Sequence, residues 1–283
     1  MDNDVLHSSP LSRRAGLAAA GGLGLAAATA WIGPAGAETG RGSDRGSGHG
    51  GGRKAVTLLV TRHGRTMLNT LDRVQGWSDS PLTDAGVEVA QDLGRGLALE
   101  GVEIDAVHCG DMVRHHQTAS AVLETFGAEL EPIRDERLRE ISFGSYEGER
   151  NGVMWTAIAQ SLGHASQEEL FASPNFDMAE ALDAGAALSD GTAVPAETSA
   201  DCADRALAAL EEIAQSRTRK GGTVLVVTSG LTIYLALDAL GADLSSVTGG
   251  FHNASVSTLT YQEGSWTIGA INDMHYAEQG ADA

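Results

Sequence analysis

The sequence predicts an α/β domain, a three-layer α-β-α sandwich around a mostly parallel sheet with a helical cap insertion. Three observations predict it. Beyond residue 53, short apolar runs of strand length alternate with longer segments of helical period, and that alternation favours a parallel sheet covered on both faces. One run, Val56 to Val60, stops at Thr61-Arg62-His63-Gly64-Arg65-Thr66, and open α/β sheets hold their ligands beyond the carboxyl ends of their strands. Between 151 and 210 the pattern changes to long Ala-rich stretches broken by Gly163, Pro174, Gly185, Gly191 and Pro195, with nine acidic residues against the single Arg205.

The elements follow in order. At the amino end Ser12-Arg13-Arg14 precedes the uncharged stretch Ala15 to Ala37, a pattern that resembles a twin-arginine export signal, with Ala28-Thr29-Ala30 as a small-residue cleavage site. A membrane anchor is the competing reading. The shortness of the stretch and Gly33-Pro34 weaken it, although an uncleaved signal would leave the protein tethered. From Gly40 to Gly52 seven of thirteen residues are glycine, which reads as a flexible linker. Residues 1–52 are therefore expected to be signal and linker. The protein would be exported, extracellular or associated with the cell envelope, and the export machinery is one expected partner.

The folded domain is expected over 53–283. Ala55 to Val60 reads as a buried strand, and Thr83 to Leu99 as a helix capped by Thr83, with Val87, Ala90, Leu93 and Leu97 facing the core. Ile104 to Cys109 is a second strand and Met112 to Phe126 a second helix. The cap insertion is placed at 151–200, either restricting access to a site or simply packing on the surface. Asp201 to Arg217 returns to a helical pattern with an acidic start and a basic end, as the helix dipole favours. Thr223 to Thr228 is a third strand, leading into a helix near Leu231. Ser255 to Tyr261 and Trp266 to Ile271 alternate around Glu263-Gly264 as a terminal hairpin.

The 283 residues are 42% apolar, enough for one sizeable core. The formal charge, 19 − 38 = −19, argues against a nucleic-acid or anionic-membrane partner. An anionic substrate would need a local positive cluster. Cys109 and Cys202 form no metal-binding pattern, and oligomeric state is not legible.

The cluster after the first strand supplies that positive charge. His63 can present a ring nitrogen as nucleophile while Arg62 and Arg65 hold a dianion, for which a phosphoryl group is the natural candidate. Gly64 would let the backbone turn closely under it. Arg114, in the first turn of the second helix, adds an anion donor. Glu140, in Arg139-Glu140-Ile141-Ser142-Phe143-Gly144, fits a general acid, because anionic charge and burial both favour a protonated carboxyl. A salt bridge from Glu140 to Arg137 or Arg139 is the plainer alternative.

With these residues in this order the chain resembles the histidine phosphatase superfamily, in its branch related to cofactor-dependent phosphoglycerate mutase. The resemblance covers nearly everything after the linker: Arg62-His63-Gly64, Asn69, Gly76, Asp79, Pro81-Leu82-Thr83 with Gly86, Asp111 and Arg114 with Gln117-Thr118-Ala119, Glu140 with Phe143-Gly144 and Glu147-Gly148, and the ending Asn253-Ala254-Ser255, Ile271-Asn272-Asp273 and His275. It implies that His63 is phosphorylated, that Arg62 and Arg114 bind the phosphoryl group with Arg65 and Asn69 as further donors, and that Glu140 donates and then accepts a proton. Neither metal nor cofactor is implied. One position departs: Ser229 stands where the family has a second histidine that binds the phosphoryl oxygens, and its hydroxyl can still donate one bond there as a phosphate-binding residue, but it is shorter and uncharged. His115, His116 and His252 are the candidates to supply the missing contact. The expected function is a phosphomonoester hydrolase acting on a small phosphorylated substrate. A phosphomutase, and a phospholigand-binding protein without catalysis, are the alternatives.

Overall fold

The computed structural model describes residues 53–189, 191 and 194–283, so the expected signal, cleavage site and glycine linker lie outside the described residues. The elements run β1 (Val56–Arg62), α1 (Met67–Thr70), α2 (Asp84–Leu99), β2 (Ala106–Cys109), α3 (Val113–Phe126), β3 (Ile133–Arg134), α4 (Asn151–Ser161), α5 (Gln167–Phe171), α6 (Met178–Leu188), α7 (Ser199–Arg217), β4 (Gly222–Thr228), α8 (Gly230–Ala239), β5 (Val256–Gln262), β6 (Ser265–Ile268) and α9 (His275–Ala281). Six strands form one sheet in the order β3-β2-β4-β1-β5-β6. The first four are mutually parallel, while β5 pairs antiparallel with β1 and β6 antiparallel with β5. The sheet is thus mixed at one edge.

Side chains alternate between the two faces of the central strands. Val56, Leu58, Val60, Val224 and Val226 pack under α7 and α8, through Ala206, Leu210, Ile213, Ala236 and Leu237. Leu59, Val107, Cys109, Leu225 and Val227 face the opposite layer, where Ala90, Leu93 and Leu97 of α2 meet Ala119 and Val122 of α3 and Ala277 of α9. Both faces are therefore covered, which makes the three layers. Thr83 caps α2, its hydroxyl accepting from the Gly86 N–H, and Thr198 with Asp201 closes a capping box on α7. Glu263 and Gly264 both have positive φ, 53° and 86°, and make the two-residue turn of the β5–β6 hairpin.

Helices α4, α5 and α6 fill the segment read as a cap. They enclose a small core of Met154, Ile158, Leu170 and Ala181 against Val74, and Leu182 of α6 joins Cys202, Ala203 and Leu235 of α7 and α8. Strand β3 went unread in the sequence. It is two residues long, exposed on both, and is held only by register with His108 and Cys109, so no apolar run announces it.

Candidate active site

Strands β1 and β4 end side by side, with Arg62 opposite Thr228, and the next residue of the first strand extends the ladder: the His63 N–H donates to the Thr228 carbonyl at 2.9 Å. From there the turn is pinned on three sides. Asn253 Nδ2 donates to the His63 carbonyl at 2.7 Å, and the Gly64 N–H donates to Thr118 Oγ1 of α3 at 2.9 Å. Gly64 is required by its neighbour: a Cβ there would lie 2.2 Å from the Gly86 carbonyl oxygen, closer than any real contact. The glycine lets the turn lie against α2, a different reason from the expected approach to an anion.

His63 Nδ1 lies 2.8 Å from the Gly64 carbonyl. A carbonyl can only accept, so Nδ1 carries the proton and the Nε2 lone pair is left free. Burial, and then the charges of Arg114 and Arg62, hold the ring well below its ordinary pKa, so the imidazole is neutral near pH 7. A neutral imidazole with a fixed tautomer, within electrostatic reach of two guanidinium groups, can act as a nucleophile toward an anion that those groups hold.

Arg62 Nη1 donates to the Phe251 carbonyl, and its Nε is buried without a partner among the described residues. Burial pushes the Arg62 guanidinium below its ordinary value, with Glu140 opposing that push and Arg114 adding to it. Arg114 is fully buried. Its Nη1 donates to the Ser78 carbonyl at 3.1 Å and to Asp79 Oδ1 at 3.0 Å, and its Nη2 to the Gly76 carbonyl at 2.7 Å. Here too Nε is buried and unpartnered. Glu147 orders the loop that cradles Arg114, accepting from the N–H groups of Gly76, Trp77, Ser78 and Phe143.

Glu140 lies at the amino end of α8. Its Oε1 accepts from the Ile141 N–H, the Thr232 N–H and the Thr232 hydroxyl, while Oε2 accepts only from the Leu231 N–H at 3.1 Å. Oε2 therefore retains a lone pair for a proton. Behind it Arg205 of α7 donates to the carbonyls of Arg137, Arg139 and Glu140 and pairs with Glu197. The alternative of a Glu140 salt bridge is overturned, because Arg137 pairs with Asp135 and Glu212, and Arg139 with Asp111.

The remaining expected residues divide. Arg65 is exposed and its Nε donates to Thr70 Oγ1 at 3.2 Å, so its guanidinium is turned to α1 rather than to the buried arginines. The Asn69 amide is engaged locally, accepting from the Thr66 N–H and donating to Gln75 Oε1. Ser229 is fully buried, 2.7 Å from His115 Nε2. His115 is buried beside the nucleophile candidate, with ring centroids 5.5 Å apart. His116 is only partly buried, within electrostatic reach of Arg134 and Glu131, and His252 is exposed. Sequence reasoning gave no structural work to Asp79, Thr118, Glu147 or Arg205. Their signal was faint, since each acts on backbone or on another side chain across a long stretch of sequence.

A model of the histidine phosphatase superfamily (branch 1) matches residues 58–274. Over 93 residues the chain is 36% identical to the 2,3-bisphosphoglycerate-dependent phosphoglycerate mutase of Rhizobium meliloti (strain 1021), covering 32% of this chain and 44% of that protein. The match thus spans less than half the length of such relatives. The crystal structure of phosphoglycerate mutase from Bacillus anthracis str. Sterne superimposes with a TM-score of 0.74 at 38% identity, covering 81% of this chain and 98% of that one. A mycobacterial glucosyl-3-phosphoglycerate phosphatase superimposes with a TM-score of 0.56 at 23% identity, covering 78% of this chain and 100% of that one, a likeness of fold alone.

Proposed function

The chain belongs to the histidine phosphatase superfamily, branch 1, and within it we propose a phosphomonoester hydrolase that works through a phosphohistidine at His63. One observation carries this reading: two buried, positively charged N–H groups, Arg62 Nε and Arg114 Nε, have no partner among the described residues beside a neutral, oriented imidazole. Burying a donor unsatisfied costs about 1–3 kcal/mol, and more for a charged group. A bound phosphoryl dianion offsets that cost and is held in line with His63 Nε2.

In the first step the Nε2 lone pair forms the N–P bond as the P–O bond to the alkoxide breaks. Glu140 Oε2 gives its proton to the departing oxygen, so the alcohol leaves neutral. In the second step the Glu140 carboxylate takes a proton from water, the water oxygen bonds to phosphorus, and the N–P bond breaks to return neutral His63. Arg62 and Arg114 hold the charge that gathers on the non-bridging oxygens in both transition states. Every role falls on a side chain of this protein.

A phosphomutase is the second reading, favoured by the 38% identity to the phosphoglycerate mutase structure from Bacillus anthracis. In it a second substrate hydroxyl replaces water. Incubation with a panel of phosphomonoesters, phosphoglycerates among them, tests both. Inorganic phosphate appearing in step with free alcohol supports the hydrolase. Transfer to a second hydroxyl without phosphate release supports the mutase, and anion binding with neither reaction would leave a binding protein.

A further inference from the structure

Ser229 stands at the N-cap of α8, yet its hydroxyl makes no capping hydrogen bond. A serine there ordinarily accepts from the backbone N–H two or three residues on. In this chain Glu140 takes that place, receiving the N–H groups of Leu231 and Thr232. The Ser229 hydroxyl is thereby released and lies 2.7 Å from His115 Nε2. Both residues are fully buried. The other ring nitrogen, His115 Nδ1, has no partner among the described residues, and the Gly110 backbone lies so close to it that an added Cβ would fall 2.1 Å away.

Those facts fix the direction of the hydrogen bond. A buried N–H left without an acceptor is rarer and costlier than a buried lone pair left without a donor. In a neutral ring the proton therefore belongs on Nε2, which donates to Ser229 Oγ. The serine's own hydrogen is then free, in a cluster where the His115 ring centroid lies 5.5 Å from that of His63.

We propose that His115 and Ser229 form a two-membered donor relay, in which the His115 Nε2–H holds and polarises the Ser229 hydroxyl and that hydroxyl donates to a non-bridging oxygen of the phosphoryl group at His63. The proposal rests on the reading of His63 as phosphoryl acceptor. Ser229 is then a catalytic residue and His115 a positioning residue. A chain of two hydrogen bonds strengthens each member, so an uncharged pair does the work of one longer donor. His115 also occupies the volume beside Ser229, so a larger side chain at 229 has no room while His115 is present.

A double-mutant cycle on the protein tests this, read by turnover and by the affinities for vanadate and inorganic phosphate. Ser229→Ala is expected to lower kcat by about 10²-fold, the usual loss of one such donor, and to weaken vanadate binding more than phosphate binding. His115→Ala should reproduce most of that loss, His115→Gln, which keeps an N–H, should recover part of it, and the double variant should be no worse than Ser229→Ala. Ser229→His alone should be impaired and should regain activity when combined with His115→Ala. If His115→Ala costs the same factor with and without the Ser229 hydroxyl, the relay is overturned. A rise in turnover for Ser229→His alone overturns it as well. Should His115→Ala fail to fold, near-wild-type kcat and vanadate affinity in Ser229→Ala would still reject the proposal. Wild type that binds vanadate without turnover refutes the hydrolase, and the anion affinities then judge the pair separately. Failure to bind either anion overturns both.

Discussion

A histidine nucleophile has to be neutral, oriented and close to positive charge, and in the role proposed for His63 each demand is met by a different feature around it. The Gly64 carbonyl fixes the tautomer, burial keeps the ring neutral, and Arg62 and Arg114 bring the charge. Glu140 divides its work between two oxygens, Oε1 tied down by three donors and Oε2 by one. Glu140→Gln keeps an oxygen for the α8 N–H groups but cannot deliver a proton. Alkyl phosphates should lose about 10²–10⁴ in kcat, while nitrophenyl phosphate, whose leaving group needs little protonation, should lose far less. Equal losses on the two substrates would reject the acid role. The four residues that the proposal uses, Arg62, His63, Arg114 and Glu140, stand out in the sequence because each has a distinctive type at a strand end, a first helical turn or an aromatic-glycine segment. Arg65 shared the type but not the direction: one residue past Gly64 the chain has turned outward, and the guanidinium meets Thr70. His115 was one of three histidines expected as candidates for the contact beside Ser229, and the sequence did not choose among them, because 114 residues separate the pair.

At the level of elements, α2 explains how the nucleophile loop is kept in place. Glycine weakens a helix interior by roughly 0.5–1 kcal/mol relative to alanine, yet α2 buries three. Gly86 faces the Arg65 carbonyl, Gly94 the Val122 carbonyl of α3, and Gly96 the Tyr276 carbonyl of α9, each within 2.2 Å of where a Cβ would sit. These glycines are close-approach points that dock the His63 turn and two helices onto one rod. Gly96→Ala should therefore destabilise the protein by about 1–3 kcal/mol, as overpacking does, against the usual sign for a helix. Gly152→Ala in α4, where nothing lies within 4 Å, should instead stabilise by about 0.5–1 kcal/mol. Urea unfolding of both variants checks the pair, and a stabilised Gly96→Ala would contradict the packing argument. The apolar stripe of α2 was readable from its period. Its glycines were not, since their partners belong to other elements.

Over the whole molecule, a chain of net charge −19 gathers two guanidinium groups in its interior at the ends of β1 and the start of α3. The sheet makes this possible, because parallel neighbours all deliver their carboxyl ends to the same edge, and β1, β2 and β4 are such neighbours. Strand–helix alternation was enough to foresee that edge. The short β3 and the antiparallel β5–β1 pairing depend on tertiary register and could not be read in detail. In the proposed reaction this edge turns His63 into a phosphoryl acceptor. Rapid mixing with a turned-over phosphomonoester, alkaline quenching to preserve phosphohistidine, and peptide mapping by mass would show whether it does. The expected result is one phosphoryl group on the His63 peptide during turnover, absent from His63→Ala, which should also be inactive. Hydrolysis with no phosphate on His63, and with the rate retained in His63→Ala, would contradict it.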